Sequence, residues 1–271
     1  MTFDLGGAIA VVTGASSGLG RRFAADMAER GAVVVGVARR PALLEEVEGL
    51  LRDRSAGSST RQCDVSDTEA FCALLADVER SFGRIDVLVN CAGIGEPRQE
   101  PGFAKYRLVM DTNYFGPVAG TLAVLPGMLA RRRGVVVNVS SDSGRAPGPG
   151  EPAYAPSKAA LSAFTEAMAF RVAGTGVHLH ALYPGWVPTA MGSAAVEEGM
   201  PKPPKAVRRS EEQVSRLLLA RLGGDRVDID AAPVAKFAPV ARALFPRFYR
   251  RGMRAAGGAG AAEMPSGDAG P

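Results

Sequence analysis

Three side chains in one short stretch have the types and spacing for proton chemistry: the Ser141 hydroxyl, the Tyr154 phenol and the Lys158 ammonium. Tyr154 and Lys158 are four positions apart, the spacing that stacks two side chains on one face of a helix. A free phenol titrates near ~10 and is a poor acid or base at neutral pH. A cation one turn away favours the phenolate and lowers that value, which makes the phenol a workable proton donor and acceptor. Ser141 follows the run Val135-Val136-Val137-Asn138-Val139, which has the character of a buried strand. That places Ser141 at the strand's carboxyl end, the edge where open α/β sheets bind ligands, with its hydroxyl able to hold a substrate oxygen near the phenol. The same Y-x-x-x-K spacing occurs on helices that do no chemistry, so the surrounding elements decide what it means.

The N-terminal elements supply a second site. Ala8 to Val12 is a short apolar strand, followed by Thr13-Gly14-Ala15-Ser16-Ser17-Gly18-Leu19-Gly20 and a helix over Arg21 to Arg30, closed by Gly31. Strand, glycine-rich turn and helix make a dinucleotide-binding loop, because glycines let the backbone approach a pyrophosphate and the helix start offers free N–H groups. Gly14, Ser16, Ser17, Gly18, Leu19 and Gly20 would form that cradle. The next strand, Ala32 to Val37, ends in Ala38-Arg39-Arg40. A ribose with a free 2′-hydroxyl usually meets a carboxylate there; two arginines suit a 2′-phosphate. NADP(H) is therefore favoured over NAD(H), and a merely solvated strand end is the plainer alternative.

Further along, a helix over residues 41 to 54 starts at Pro41, and Thr60 to Val65 forms a third strand. Ser66-Asp67-Thr68-Glu69 opens a capped helix to Phe82, and Ile85 to Val89 is a fourth strand before the tight turn Asn90-Cys91-Ala92-Gly93. Tyr106 to Arg133 is a long helical region interrupted around Gly116-Pro117 and Pro126-Gly127. Within it Asn113, polar among apolar neighbours, fits a buried structural hydrogen-bonder before any context is added. After the strand at 135–139, the Tyr154 helix runs to about Ala173 and Gly176 to Leu182 is the sixth strand. Residues 190–209 are irregular, Ser210 caps a helix to about Leu222, and Asp225 to Asp230 is a last short strand. His178 and His180 share one face of the sixth strand without a cysteine or carboxylate partner, which makes them structural.

Composition sets the limits. With 271 residues, 46% hydrophobic and 22% charged, the chain has the make-up of a soluble α/β protein. Its net charge of +4 comes without a basic stripe interleaved with aromatics, so nucleic-acid binding is unsupported. Three cysteines (Cys63, Cys72 and Cys91) make no disulfide framework and have no metal-ligand spacing. No secretory signal opens the sequence and no apolar run approaches a membrane span. The expected location is cytoplasmic.

With these residues in place the sequence resembles the short-chain dehydrogenase/reductase superfamily over roughly residues 6 to 232. The family's T-G-x-x-x-G-x-G turn is matched by Thr13 to Gly20, and its adenine-contacting D-[VL] pair by Asp64 and Val65. Its N-N-A-G turn is matched by Asn90, Ala92 and Gly93, with Cys91 in place of the second asparagine. Asn113, Ser141, Tyr154 and Lys158 match the catalytic set, and Pro184, Gly185, Val187 and Thr189 the P-G-x-V-x-T turn. The resemblance implies a doubly wound parallel sheet of about seven strands between helix layers, a Rossmann fold. It implies hydride exchange between nicotinamide and an alcohol or carbonyl, with Tyr154 as acid and base and Ser141 holding the substrate oxygen. Lys158 would bond the nicotinamide ribose and lower the phenol's pKa. Asn113 would hold a water joining Lys158 to solvent, and Val187 and Thr189 would fix the carboxamide. One departure is Ser17, where many NADP-using members are basic; this leaves Arg39, with Arg40, to hold a 2′-phosphate.

Substrate loops are expected around Ile94 to Pro101, Ser143 to Pro152 and Trp186 to Arg209. Pro147, Trp186, Met191 and Met200 point to an apolar alcohol or ketone. A single domain over 1–232 would carry an amphipathic basic extension over 233–254 and a disordered tail over 255–271. The extension is expected to pack on the core or a sister subunit, with an anionic membrane as the alternative. The family also implies a homodimer or homotetramer. The competing function is a catalytically quiet NADP(H)-binding sensor or scaffold, which would have no need of the phenol.

Overall fold

Short runs of valine, isoleucine and alanine with no polar face can only be satisfied by strands covered on both sides, and that requirement organises the chain. The computed structural model describes residues 2–96, 102–148, 150–197 and 203–256. Strands β1 (Ile9–Thr13), β2 (Val33–Ala38), β3 (Ser59–Gln62), β4 (Val87–Asn90), β5 (Gly134–Val139), β6 (Val177–Tyr183) and β7 (Asp228–Asp230) form one sheet. Its order is β3-β2-β1-β4-β5-β6-β7, and every pairing is parallel. The connecting helices are α1 (Gly18–Glu29), α2 (Pro41–Arg52), α3 (Thr68–Phe82), α4 (Phe103–Met110), α5 (Gly116–Ala130), α6 (Asp142–Arg145), α7 (Tyr154–Arg171), α8 (Ala190–Glu197) and α9 (Glu211–Arg221). Two more, α10 (Phe237–Leu244) and α11 (Pro246–Ala256), follow the last strand.

Alternate residues of each strand feed two cores. On one face Val12, Val34, Val89 and Val137 meet Phe23 and Met27 of α1, Leu51 of α2 and Leu218 of α9. On the other, Val11, Val35, Leu88 and Val136 meet Phe71 and Leu75 of α3, Met128 of α5 and Met168 of α7. The chain winds outward from β1 to β3, then returns to place β4 on the other side of β1. The crevice that opens at this reversal, above the carboxyl ends of β1 and β4, is where doubly wound sheets bind ligands.

The expected doubly wound Rossmann sheet is present, with local differences that have simple causes. The first helix begins at Gly18 rather than Arg21, so the last glycines of the turn form its first turn. β3 stops at Gln62; Asp64 instead turns inward on itself, accepting from the Ser66 N–H (3.0 Å) and hydroxyl (2.8 Å). The last strand is shorter than expected, Asp228–Asp230 only. Between α4 and α5 the helix does not break at Gly116-Pro117. It loosens into a π-turn over Asp111–Phe115, and α5 continues through Pro126. Residues 190–209 are more ordered than expected: α8 occupies their first part, and Trp186 pairs with Arg208 in an isolated bridge. Among the described residues no helix is long and apolar enough to cross a membrane. The tail beyond Ala256 lies outside the described residues, as do residues 97–101, Pro149 and 198–202, with Met200 among them.

Candidate active site

The strand β5 ends in two serines with different employment. Ser140 is buried, donating to the Lys158 carbonyl (3.1 Å) and sharing a hydrogen bond with Ser162 (2.7 Å), and so ties β5 to α7. Ser141 caps α6, accepting from the Ser143 N–H at 3.2 Å, and its hydroxyl acts on the Tyr154 phenol, favouring the phenolate. The short α6 presses its backbone onto α7: a Cβ at Gly144 would lie 2.8 Å from the Ala159 nitrogen, a separation only glycine permits. That contact fixes Ser141 relative to Tyr154 and Lys158.

The start of α7 is held by a residue that the sequence did not single out. The Glu96 carboxylate accepts from the Ala153 N–H (2.9 Å) and the Tyr154 N–H (2.7 Å), an anion placed where a helix leaves its first donors free. Ser157 is a second such residue. Its hydroxyl donates to the Tyr154 carbonyl (2.7 Å) and accepts from the Asn113 amide (3.1 Å). Its position three after Tyr154 was visible, but nothing in its type marked it out. Glu96 lay in a loop whose path no periodicity predicts.

Asn113 sits buried in the π-turn, an irregularity frequent at functional sites. Its Oδ1 accepts from the Ile94 N–H and its amide donates to the Ile94 carbonyl, each at 2.9 Å. The side chain thus clamps the loop after β4 to α7. Pro117, four residues later, carries no N–H, so the α-helical bond to the Asn113 carbonyl is absent.

Burial governs the charges. Lys158 Nζ donates to the Val139 carbonyl at 2.9 Å and lies 5.8 Å from the Tyr154 ring centre. Loss of water brings its ammonium down to about 8, with Cys91 acting weakly the other way. Loss of water also pushes the Tyr154 phenol up to about 12; the Ser141 hydrogen bond opposes this, while Glu151, Cys91 and Asp142 add to it. The raised value runs against the expectation that Lys158 lowers the phenol's pKa: desolvation outweighs the neighbouring cation. Asp142, next to Ser141, is raised to about 6, first by burial, with Arg145 opposing and Asp230 adding.

The glycine turn lies across the crevice from this group. Thr13 organises it: its hydroxyl accepts from the Cys91 and Ala92 N–H groups, both at 3.0 Å, so the turn after β4 keeps its shape although Cys91 replaces an asparagine. Gly14 has φ +71, and a Cβ there would stand 2.9 Å from the Ala92 nitrogen. Ser16, Ala38, Arg40, Asp64, Val65 and Gly93 line the cleft beside it, while Ser17, Gly18, Leu19 and Gly20 carry the chain into α1. Arg40 donates to the Ser16 and Ser17 hydroxyls, 2.9 Å each. Arg39 pairs instead with Asp64 at 3.3 Å. A close backbone turn at a helix start, with two hydroxyls and a guanidinium at its side, fits a dinucleotide.

Five predicted cofactor residues are held by other parts of the chain. Asn90 is buried beneath the cleft, where its amide donates to Asn138 Oδ1 at 2.8 Å. Asn138 in turn donates to Thr165 on α7 at 2.9 Å. The ladder ties β4, β5 and α7 together, so Asn90 acts on the turn from below. Pro184 and Gly185 leave β6 for the Trp186 bridge, Val187 is buried in the α1 side of the core, and the Thr189 hydroxyl accepts from the Gly192 N–H at the start of α8 (3.3 Å). His180 is structural: Nδ1 faces the Arg226 carbonyl (2.8 Å) and Nε2 accepts from the Gly223 N–H (3.0 Å).

A parallel sheet wound in this order, with a glycine turn at its reversal and Ser141, Tyr154 and Lys158 grouped across the crevice, defines a nucleotide-dependent oxidoreductase of the Rossmann type. The comparisons specify which: residues 8–199 match the family model described as short chain dehydrogenase, and the chain belongs to that family of NAD(P)-dependent enzymes. It is 36% identical over 260 residues to the Dehydrogenase/reductase SDR family member 7B of Bos taurus, covering 90% of this chain and 79% of that one. It is 34% identical over 197 residues to the 3-oxoacyl-[acyl-carrier-protein] reductase FabG of Vibrio cholerae, covering 72% and 80%. Among solved structures, a short chain dehydrogenase/reductase from Burkholderia phymatum, determined in complex with NAD, superposes with a TM-score of 0.79 at 26% identity, covering 89% of this chain and 94% of that one.

Proposed function

We propose that the protein is an NADP(H)-dependent reductase of apolar ketones or aldehydes, running also as the alcohol dehydrogenase, with Tyr154 as the proton donor and acceptor. The observation that carries this reading is the placement of Ser141, at the end of β5 and fixed against α7 by the Gly144 contact, beside Tyr154 and the buried Lys158 of α7. Desolvation pushes the Tyr154 phenol up to about 12, so it holds its proton throughout the neutral range beside the serine that would share its substrate oxygen. A site that keeps its proton until negative charge develops beside it is suited to reduction.

A bound nicotinamide dinucleotide would supply the hydride in reduction and accept it in oxidation. The residues of this chain do the rest. Ser141 Oγ and the Tyr154 hydroxyl hold the carbonyl oxygen between them, and Tyr154 passes its proton to the developing alkoxide. The Lys158 ammonium then faces the phenolate, a charge that substrate chemistry creates and burial alone does not. Asn113 contributes its carbonyl, left without the α-helical donor by Pro117, to hold a water that returns a proton through Lys158. Arg40, with Ser16 and Ser17, is placed to bind a 2′-phosphate, and this favours NADP(H) over NAD(H).

Apolar substrates are favoured by Met191, whose Cγ would lie 3.5 Å from a Cβ at Gly95, and by Trp186 at the base of the same loop. Homodimers or homotetramers are supported by large apolar side chains exposed on the outer helices, Phe115 and Leu122 beside or on α5 and Phe170 on α7. The test of the function is Tyr154→Phe. NADPH oxidation with a panel of hydrophobic ketones should fall by about 10²–10⁴-fold while NADPH binding is retained. An unchanged rate would remove Tyr154 from the mechanism; tight NADPH binding by the unsubstituted protein with no turnover on any carbonyl would leave a sensor or scaffold.

A further inference from the structure

The helices that follow β7 present their apolar residues outward. Phe237, Val240 and Leu244 recur at helical spacing along α10 and are 71%, 52% and 66% exposed. Arg242, on the opposite side of the same helix, turns to the body and donates to the Arg145 carbonyl at 3.2 Å. Just before α10, Lys236 pairs with Asp230 at 2.8 Å. At the joint and in α11, Phe245 and Phe248 are 64% and 81% exposed. Met253 faces the body, its Cε 3.7 Å from where a Gly148 Cβ would stand, and the Tyr249 hydroxyl is buried. Polar groups and two α11 side chains therefore moor the arm, and its large apolar side chains Phe237, Val240, Leu244, Phe245 and Phe248 are left to solvent. An amphipathic helix packed only for its own fold would bury its apolar stripe.

The charge pattern says what the stripe is built to meet. From Ala231 to Ala256 there is no acidic residue and there are six basic ones: Lys236, Arg242, Arg247, Arg250, Arg251 and Arg254. Of the chain's 32 basic and 28 acidic residues, removing those six leaves 26 against 28, so the whole positive excess resides in the arm. Four of the arginines fall on one side of α11 by their spacing, bordering the exposed phenylalanines. We propose that α10 and α11 dock the protein on an anionic lipid surface. The phenylalanines and leucine enter the headgroup–acyl boundary, and the arginines meet the lipid phosphates. A second copy fits less well, because two arms face to face would set the four arginines of one α11 against the four of the other. Met253 lies against the loop at Gly148, between Ser141 and Tyr154 in sequence, so docking would also bring the substrate mouth to the phase where apolar carbonyl compounds dissolve. That corollary rests on the apolar-substrate reading; the docking does not.

The experiment is co-sedimentation of the full chain with vesicles of phosphatidylcholine, with and without phosphatidylglycerol. Binding is expected only to the phosphatidylglycerol vesicles and should weaken with salt. Replacing Phe237, Leu244 and Phe248 together by serine should weaken it at least about a hundredfold, from the apolar area each inserts. Arg250→Glu with Arg254→Glu should weaken it about thirtyfold or more, from roughly 1 kcal/mol per basic residue at the surface. All five positions are exposed or border solvent, so unchanged melting temperatures will show that the variants fold. No sedimentation of the unsubstituted chain with phosphatidylglycerol vesicles overturns the proposal, as does binding indifferent to the arginine reversals. A solution mass that halves in the serine variant, without vesicle binding by either protein, assigns the stripe to a second copy instead.

Discussion

Replacing Asp142 by asparagine tests the electrostatics beside the catalytic serine. Burial raises this carboxyl from its ordinary value of 3.8 to about 6, against the pull of Arg145. The folded protein therefore holds a proton on Asp142 more tightly than the unfolded chain does. Stability is lowest above pH 6, where the folded state carries the charge, and recovers as pH falls through 6 towards 3.8. The rise from 3.8 to about 6 corresponds to a ceiling of about 3 kcal/mol, at about 1.36 kcal/mol for each tenfold change in proton affinity. Residual contact with water reduces the expected penalty to about 2 kcal/mol. Asp142→Asn should thus be more stable than the parent by about 2 kcal/mol at pH 8, shrinking to under about 1 kcal/mol at pH 4. Urea unfolding followed by circular dichroism at both pH values measures the difference. The same charge helps to hold the Tyr154 proton, so the alkaline limb of the oxidation rate should move to lower pH in the variant. A stability difference equal at pH 8 and pH 4 would mean that the carboxylate is not held against its preference. A variant less stable at pH 8 would mean that Arg145 outweighs burial.

Two further outcomes follow from the geometry. Arg40→Ala should weaken NADPH binding by roughly ten- to a hundredfold, the loss of a charge-assisted hydrogen bond of about 1.5–3 kcal/mol, and leave NADH binding alone. Arg39→Ala should do much less, because Arg39 is held by Asp64; titration calorimetry with both nucleotides decides, and the reverse ranking would place the phosphate at Arg39. His180, lowered to about 4 by burial, titrates with the opposite sign to Asp142: the unfolded state takes up its proton first, so stability is lost as pH falls from 6.5 towards 4. Measured in the Asp142→Asn background, that loss should be about 3 kcal/mol and should vanish when His180 is also replaced by glutamine.

What the sequence made legible was whatever rests on local pattern. Valine-rich runs five or six residues long, such as those before Gly14 and before the serines at 140 and 141, leave few alternatives to a parallel sheet, and the Tyr154–Lys158 spacing needs only a helix to become a geometry. The illegible part depends on what lies opposite in space. Arg39 and Arg40 are adjacent and alike in sequence, yet Asp64 comes from β3's far end to take one and leaves the other to the Ser16–Ser17 turn. Asn90 belongs to a glycine-turn motif but points below it, to a partner on β5. Spacing likewise reveals the cation near Tyr154 and says nothing about how much water both groups lose.

The same contrast separates the chemistry from its specificity. Each group assigned to proton transfer is fixed through the backbone: Ser141 by the Gly144 contact with α7, Tyr154 by Glu96 at its own N–H, and Asn113 by a two-point clamp on Ile94. Such restraints hold reacting atoms to a narrow geometry without selecting what enters. Selection is left to the segments that border this frame: α8, which brings Met191 beside Gly95, and the loop at Gly148 on which Met253 rests. Substitutions at Met191 or Met253 should therefore change which carbonyl compounds are reduced, read as changes in KM across a panel. Substitution of Glu96 should lower kcat for all of them alike, because it acts on the position of the phenol they share.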